Sequence, residues 1–214
     1  MTKVIGLTGG IASGKSTITD FLRRQGYPVI DADQVVHELQ AKGGKLYQVL
    51  VAEFGNSILT AEGDLDRKKL GQAVFENAGL RAHLSLLQDK IIREELLARR
   101  DALKQTEDVI FMDIPLLYEA DYSGEVDEVW LVYVDKAQQL ERLMKRNGFS
   151  VQDAENRLNA QLSLEEKRAK AQVLIDNSGV SQISRADGLV MLMFFIIFLS
   201  YTFSLAKEGR AADE

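Results

Sequence analysis

A three-layer α/β fold around a parallel central sheet is predicted by two observations. Short apolar runs, each ended by glycine or aspartate, alternate with stretches whose apolar residues recur at helical spacing. The first run and the first helical stretch are joined by a glycine-rich loop, and the next run follows within about 30 residues, as in a βαβ unit. With 214 residues, 46% of them hydrophobic, the chain can bury the core that such a fold needs.

Taken in order, Val4-Ile5-Gly6-Leu7 reads as a buried parallel strand. Residues 15–25 carry Ile18, Phe21 and Leu22 on one helical face, and Gly26 ends that helix as a C-cap glycine does. Pro28-Val29-Ile30 is the second strand and closes on Asp31-Ala32-Asp33. Helices are expected over 34–40 and 45–54, a loop over 56–66, and further helices over 67–75 and 80–104. Val109-Ile110-Phe111-Met112 and residues 128–134 are strands. Asp135 with Gln138, and Ser150 with Asp153, mark two helix starts, the second helix running to about 161. Val173-Leu174-Ile175 is a last short strand.

Composition narrows the function. The formal net charge of −6 repels a phosphate backbone, so no nucleic-acid partner is expected. There are no cysteines, which excludes disulfides, thiolate metal sites and cysteine nucleophiles. His37 and His83 are too few and too far apart for a histidine metal site. The start of the chain has no signal-peptide pattern, which fits a cytoplasmic protein.

Gly9-Gly10-Ile11-Ala12-Ser13-Gly14-Lys15-Ser16 satisfies G-x-x-x-x-G-K-[ST] at every defined position, between a strand and a helix as that motif requires. Glycines let the backbone curl so that successive N–H groups face one anion, and a helix start adds its positive dipole end. Lys15 then supplies a cation to the β- and γ-phosphates, and the Ser16 hydroxyl a ligand to Mg²⁺. Thr17 either caps the site or meets the α-phosphate. The implied ligand is ATP with Mg²⁺. A GTPase reading lacks the N-K-x-D element that reads guanine.

Asp31 and Asp33 stand at the carboxyl end of the second strand, the edge where ligands gather in such sheets. Phosphoryl transfer to an alcohol needs a carboxylate to orient the hydroxyl and take its proton. Asp33 fits that role, and Asp31 could hold a metal through water; the competing reading is that Asp33 only caps a helix. Asp113, ending an apolar strand, reads either as a Walker-B carboxylate or as a turn residue. Arg142 and Arg146, one helical turn apart, either face one anion or are solvated.

The set formed by residues 6–17, Val29-Ile30-Asp31-Ala32-Asp33, Leu65-Asp66-Arg67, Asp113-Ile114-Pro115-Leu116-Leu117-Tyr118-Glu119, Val132-Tyr133-Val134-Asp135, residues 139–143 and Ile175-Asp176-Asn177 resembles the dephospho-CoA kinases, over about residues 3–178. The resemblance implies a P-loop kinase fold with a helical CoA-side insertion (about 55–107) and a lid (about 147–164) within a domain spanning 1–178. It implies transfer of the γ-phosphoryl group of ATP to the 3′-hydroxyl of dephospho-CoA, with Asp33 as base and Lys15 and Arg142 stabilising charge. By the same likeness Pro115, Leu116 and Leu117 line the acceptor site, and Asp176 and Asn177 adjoin the adenine. Arg67 either contacts substrate phosphates or pairs with an acid. A rival reading is another P-loop kinase acting on a nucleoside or nucleotide. A monomer is favoured. Many members carry His-Pro in the long middle helix where this chain has Gln88-Asp89, so no role is carried to that pair.

Residues 179–214 depart from the family. The run 188–206, GLVMLMFFIIFLSYTFSLA, is free of charge, and as a helix it would span roughly 28 Å at 1.5 Å per residue. Three readings stand: a C-terminal membrane anchor, a changed reading frame or junction replacing the usual terminal helix, or an atypical hydrophobic C-terminal helix buried in the domain or an oligomer. A rival reading of the function takes the protein as an inactive membrane-tethered relic, its fold spoiled by the changed tail.

Overall fold

The computed structural model describes residues 2–75 and 78–179, with the backbone alone for 73–75 and 78–83. The chain divides after Ile175 into two units. In the second, Asp176 accepts a hydrogen bond from the Ser178 N–H at 2.8 Å. The predicted apolar run 188–206 lies outside the described residues.

Five strands form one sheet: β1 (Lys3–Gly9), β2 (Val29–Asp31), β3 (Val109–Asp113), β4 (Glu128–Tyr133) and β5 (Val173–Asp176), in the order β2-β3-β1-β4-β5. β1 runs parallel to both β3 and β4, and β2 runs parallel to β3. The chain builds outward on one side of β1 and then crosses to the other, so the end of β1 is the switch point where ligands bind in open sheets. Strand alternation gives each face its own packing. Val4, Ile110, Met112 and Val129 face one way, into a core with Val35, Leu39, Leu46 and Leu96. Phe111 faces the other way, edge-on to Tyr27 at 5.6 Å and to Trp130 at 5.4 Å between ring centroids.

Helix α1 (Lys15–Arg24) buries Ile18 and Leu22 but leaves Phe21 part-exposed, and Gly26, with φ +85°, turns the chain after it. Helix α2 (Ala32–Gln40) starts two residues earlier than the sequence suggests. The reason is that Asp31, not Asp33, is the N-cap, its carboxylate accepting from the Asp33 and Gln34 N–H groups at 3.0 and 3.2 Å.

The region expected to be helical on the substrate side has a small core of its own. Leu50 of α3 (Lys45–Phe54) meets Ile58 and Leu84, with Leu70 of α4 (Arg67–Phe75) packed against them. Helix α5 (Ala78–Leu103) spans the long middle stretch. The expected loop is partly regular: a 3₁₀ turn at Gly55–Ile58 buries Ile58, and an antiparallel bridge joins Leu59 to Leu65.

Helix α6 (Lys136–Asn147) is capped by Asp135, and α7 (Val151–Asn159) by Ser150, as read from the sequence. A short helix, α8 (Leu164–Arg168), was not foreseen, although Ser163 and Glu166 close a full capping box in front of it. Leu164 packs against Leu131 and Val134, which fixes α8 to the end of β4. Among the described residues no helix is long and apolar enough to cross a membrane.

Candidate active site

The loop between β1 and α1 curls at the switch point. Gly14 adopts φ +88°, a conformation open to glycine at little cost, and it forms the N-cap of α1. The Ser13 N–H bonds back to the Gly10 carbonyl at 3.1 Å. A Cβ on Gly10 would lie 2.5 Å from Gln139 Nε2 and 3.1 Å from Leu164, so α6 and α8 press on the loop from behind. The same neighbours pin it. Gln139 Nε2 donates to the Ile11 carbonyl at 2.7 Å, and the Ile11 N–H donates to Gln161 Oε1 at 3.2 Å. The result is a rigid cup at the N-terminus of a ten-residue helix, which favours an anion.

Beneath the cup, Lys15 is ion-paired to Asp113 Oδ1, and Thr19 Oγ1 donates to Asp113 Oδ2 at 2.6 Å. Asp113 is 2% exposed. Both its oxygens are therefore engaged, and it acts as an anchor for the lysine rather than as a turn residue.

A cleft of about 440 Å³ opens over the cup. Gly9, Gly10, Ile11, Ala12, Ser13, Gly14, Lys15 and Ser16 line it, with Asp33, Pro115, Gln161 and the two arginines of α6, Arg142 and Arg146. Thr17 is exposed and is not part of this lining. A second cleft, of about 790 Å³, adjoins it. Its walls include the apolar Val36, Ile92, Ile114 and Leu116, together with Asp89, Arg93 and Glu119. Asp33, Pro115 and Gln161 belong to both clefts.

The Asp33 carboxylate does not cap α2, since Asp31 does the capping and also pairs with Arg23 at 3.1 Å. Burial pushes the Asp33 carboxyl above its ordinary value of 3.8; the Lys15 ammonium opposes this, and the Asp31 and Asp113 carboxylates add to it.

The model of the dephospho-CoA kinase family matches residues 3–182. The chain belongs to the dephospho-CoA kinase family. It is thus an ATP-dependent kinase, a transferase. It is 58% identical over 179 residues to the dephospho-CoA kinase of Streptococcus agalactiae serotype Ia, a match covering 84% of this chain and 92% of that one. With the Streptococcus mutans dephospho-CoA kinase it shares 54% over 178 residues, covering 83% and 90%. Among solved structures, the dephospho-CoA kinase from Campylobacter jejuni superposes with a TM-score of 0.69 at 29% identity, covering 94% of this chain and 99% of that one. A shikimate kinase from Bacteroides thetaiotaomicron, at TM-score 0.51 and 16% identity and covering 94% and 99%, shares the fold.

Not every residue expected in a dephospho-CoA kinase site lines these clefts. Leu116 does, at 42% exposure, but Leu117 is fully buried in the core, packed behind Gly6 of β1. Arg67 begins α4 and is exposed, outside the lining of both clefts. Asp176 ends β5 and Asn177 follows it, in the second unit. Sequence reasoning missed Gln161, Arg93 and Glu119. Gln161 and Arg93 belong to no motif. Glu119 ends the 113–119 segment, and its charge directly after residues 114–118 was the available signal.

Proposed function

We propose that this chain transfers the γ-phosphoryl group of ATP to the 3′-hydroxyl of dephospho-CoA, the last step of coenzyme A synthesis. The observation that carries the reading is the position of Asp33 on the wall common to the phosphate-loop cleft and its apolar neighbour. ATP takes the first cleft, with its β- and γ-phosphates at the loop amides and Lys15. The acceptor takes the second, whose apolar walls suit the body of a nucleotide-bearing cofactor precursor.

In the transfer, the acceptor oxygen forms a bond to Pγ as the bond from Pγ to the β-phosphate oxygen breaks. ADP leaves, and the hydroxyl proton passes to Asp33. Raising the Asp33 pKa makes its carboxylate a better proton acceptor. Lys15 and Arg142, with Arg146 beside them, balance the charge on the transferred group.

The donor set suits Mg²⁺ brought in on the nucleotide phosphates. Ser16 offers a hydroxyl, and among the described residues no cluster of three histidine, aspartate or glutamate side chains forms a ready-made cage. Bound there, the ion would supply positive charge against that of the phosphates. Asp113 is already engaged by Lys15 and Thr19. Residues 147–164 act as a lid that excludes water. Asp176 and Asn177 take the adenine side. The work is done where ATP is made, in the cytoplasm.

The test is product analysis with ATP and dephospho-CoA, set against nucleoside monophosphates as acceptors. CoA and ADP in equal amounts are expected. In the Lys15→Ala variant kcat/KM should fall by about 10²-fold or more, because the phosphates lose their cation. No CoA from the parent chain would overturn the reading.

A further inference from the structure

Lys167 on α8 is fully buried, and it lies outside the lining of both clefts. Its ammonium lies 2.9 Å from Glu119 Oε1 and donates to the Pro115 carbonyl at 3.1 Å. Each partner is engaged a second time. The Pro115 carbonyl also accepts from the hydroxyl of buried Thr8, on β1, at 3.0 Å. Glu119 Oε1 also accepts from the Leu162 N–H, at the end of the lid segment, at 3.1 Å.

A buried ammonium is costly to desolvate, and an apolar side chain of similar volume commonly gives a fold of equal or greater stability. Stability alone therefore does not call for a lysine here. What the ammonium does instead is join three things. Pro115 belongs to both clefts, Glu119 belongs to the acceptor cleft, and Leu162 lies near the end of the 147–164 segment. A neutral residue at 167 would leave the Pro115 carbonyl with the Thr8 hydroxyl and Glu119 with the Leu162 amide, but would no longer hold them to each other.

We infer that Lys167 is a positioning residue for the acceptor: through its ammonium it fixes the 115–119 wall of the second cleft and ties that wall to the end of the lid. It touches neither substrate. The inference rests on the acceptor reading above. It weighs on the acceptor side, because the ATP cup keeps a separate tie through Gln139 of α6, which Lys167 does not touch.

The experiment is steady-state kinetics on the full chain with Lys167→Met, Glu119→Ala and the double variant, each with its Tm. Lys167→Met is expected to raise KM for dephospho-CoA by about tenfold or more, as the loss of a charged hydrogen bond does, with KM for ATP little changed. The double variant should be no worse than the worse single, since the two act as one unit. An equal rise in both KM values would mark a merely structural role and overturn the inference, as would an unchanged KM for dephospho-CoA. If Lys167→Met does not fold, Glu119→Gln carries the test: it weakens the pair while keeping its shape, and the acceptor KM should rise alone. A parent chain that makes no CoA sinks the reading of the function; a parent that makes CoA beside an unaltered Lys167→Met sinks only this inference.

Discussion

At Asp33 one environment sets two measurable properties. Burial raises the carboxyl pKa, chiefly by desolvation, so the acid limb of kcat/KM should lie above the ordinary aspartate value of 3.8, with activity falling as pH drops through it. The stability consequence has the opposite sign. A carboxyl whose folded pKa is raised favours the fold in its protonated form, so its contribution is full below the unfolded pKa and is lost as pH rises through the folded pKa. Asp33→Asn removes that penalty. Its turnover should fall by about 10²-fold or more, while its Tm at neutral pH equals or exceeds the parent's. The Tm difference should close as the pH is brought below 3.8, which thermal unfolding at several pH values checks. A parent level of turnover in Asp33→Asn would end the base assignment. The position of Asp33 at a strand end beside the loop could be read from sequence. That Asp31 takes the cap could not, since both aspartates are good caps and the choice depends on which of them precedes the first helical residue.

Among the elements, the phosphate loop is the one whose sequence specifies most of its geometry. Its glycines mark where the backbone must turn or be approached closely, and both demands are met at Gly14 and Gly10. Gly10→Ala tests the second. The new methyl meets Gln139, whose amide is already committed to the Ile11 carbonyl, so it either breaks that bond or displaces the loop. Kd for ATP should rise by about tenfold and stability fall by about 1–3 kcal/mol, the usual cost of overpacking. Isothermal titration with ATP and urea unfolding measure the two, and unchanged ATP affinity would mean the loop is not pinned from behind. Other elements were legible in proportion to how local their signals are. The caps at Asp135 and Ser150 are local and were read correctly. Helix α8 had an equally local signal in Ser163 and Glu166 but only five residues, too short for periodicity to reveal. Leu117 shows the reverse: a motif places it at the site, while strand and turn geometry send its side chain to the core.

On the scale of the whole molecule, parallel strands, a phosphate loop at the switch point and acids at the next strand end form a pattern that alternation and spacing already contain. What they omit is how separate segments converge. Gln161, Arg93 and Lys167 matter through partners 27 to 150 residues away, and no sequence period encodes such pairs. The same view bears on the tail. Among the described residues the lining of both clefts runs from Gly9 to Gln161, and the family match ends at residue 182. A chain ending at residue 182 is expected to make CoA with kcat/KM within about twofold of the full chain, as independent regions do. Acceptor assays and thermal melts on both chains decide it. Lost activity with an unchanged melt would give residues 183–214 a part in the chemistry, whereas a lowered melt would give them a part in the fold.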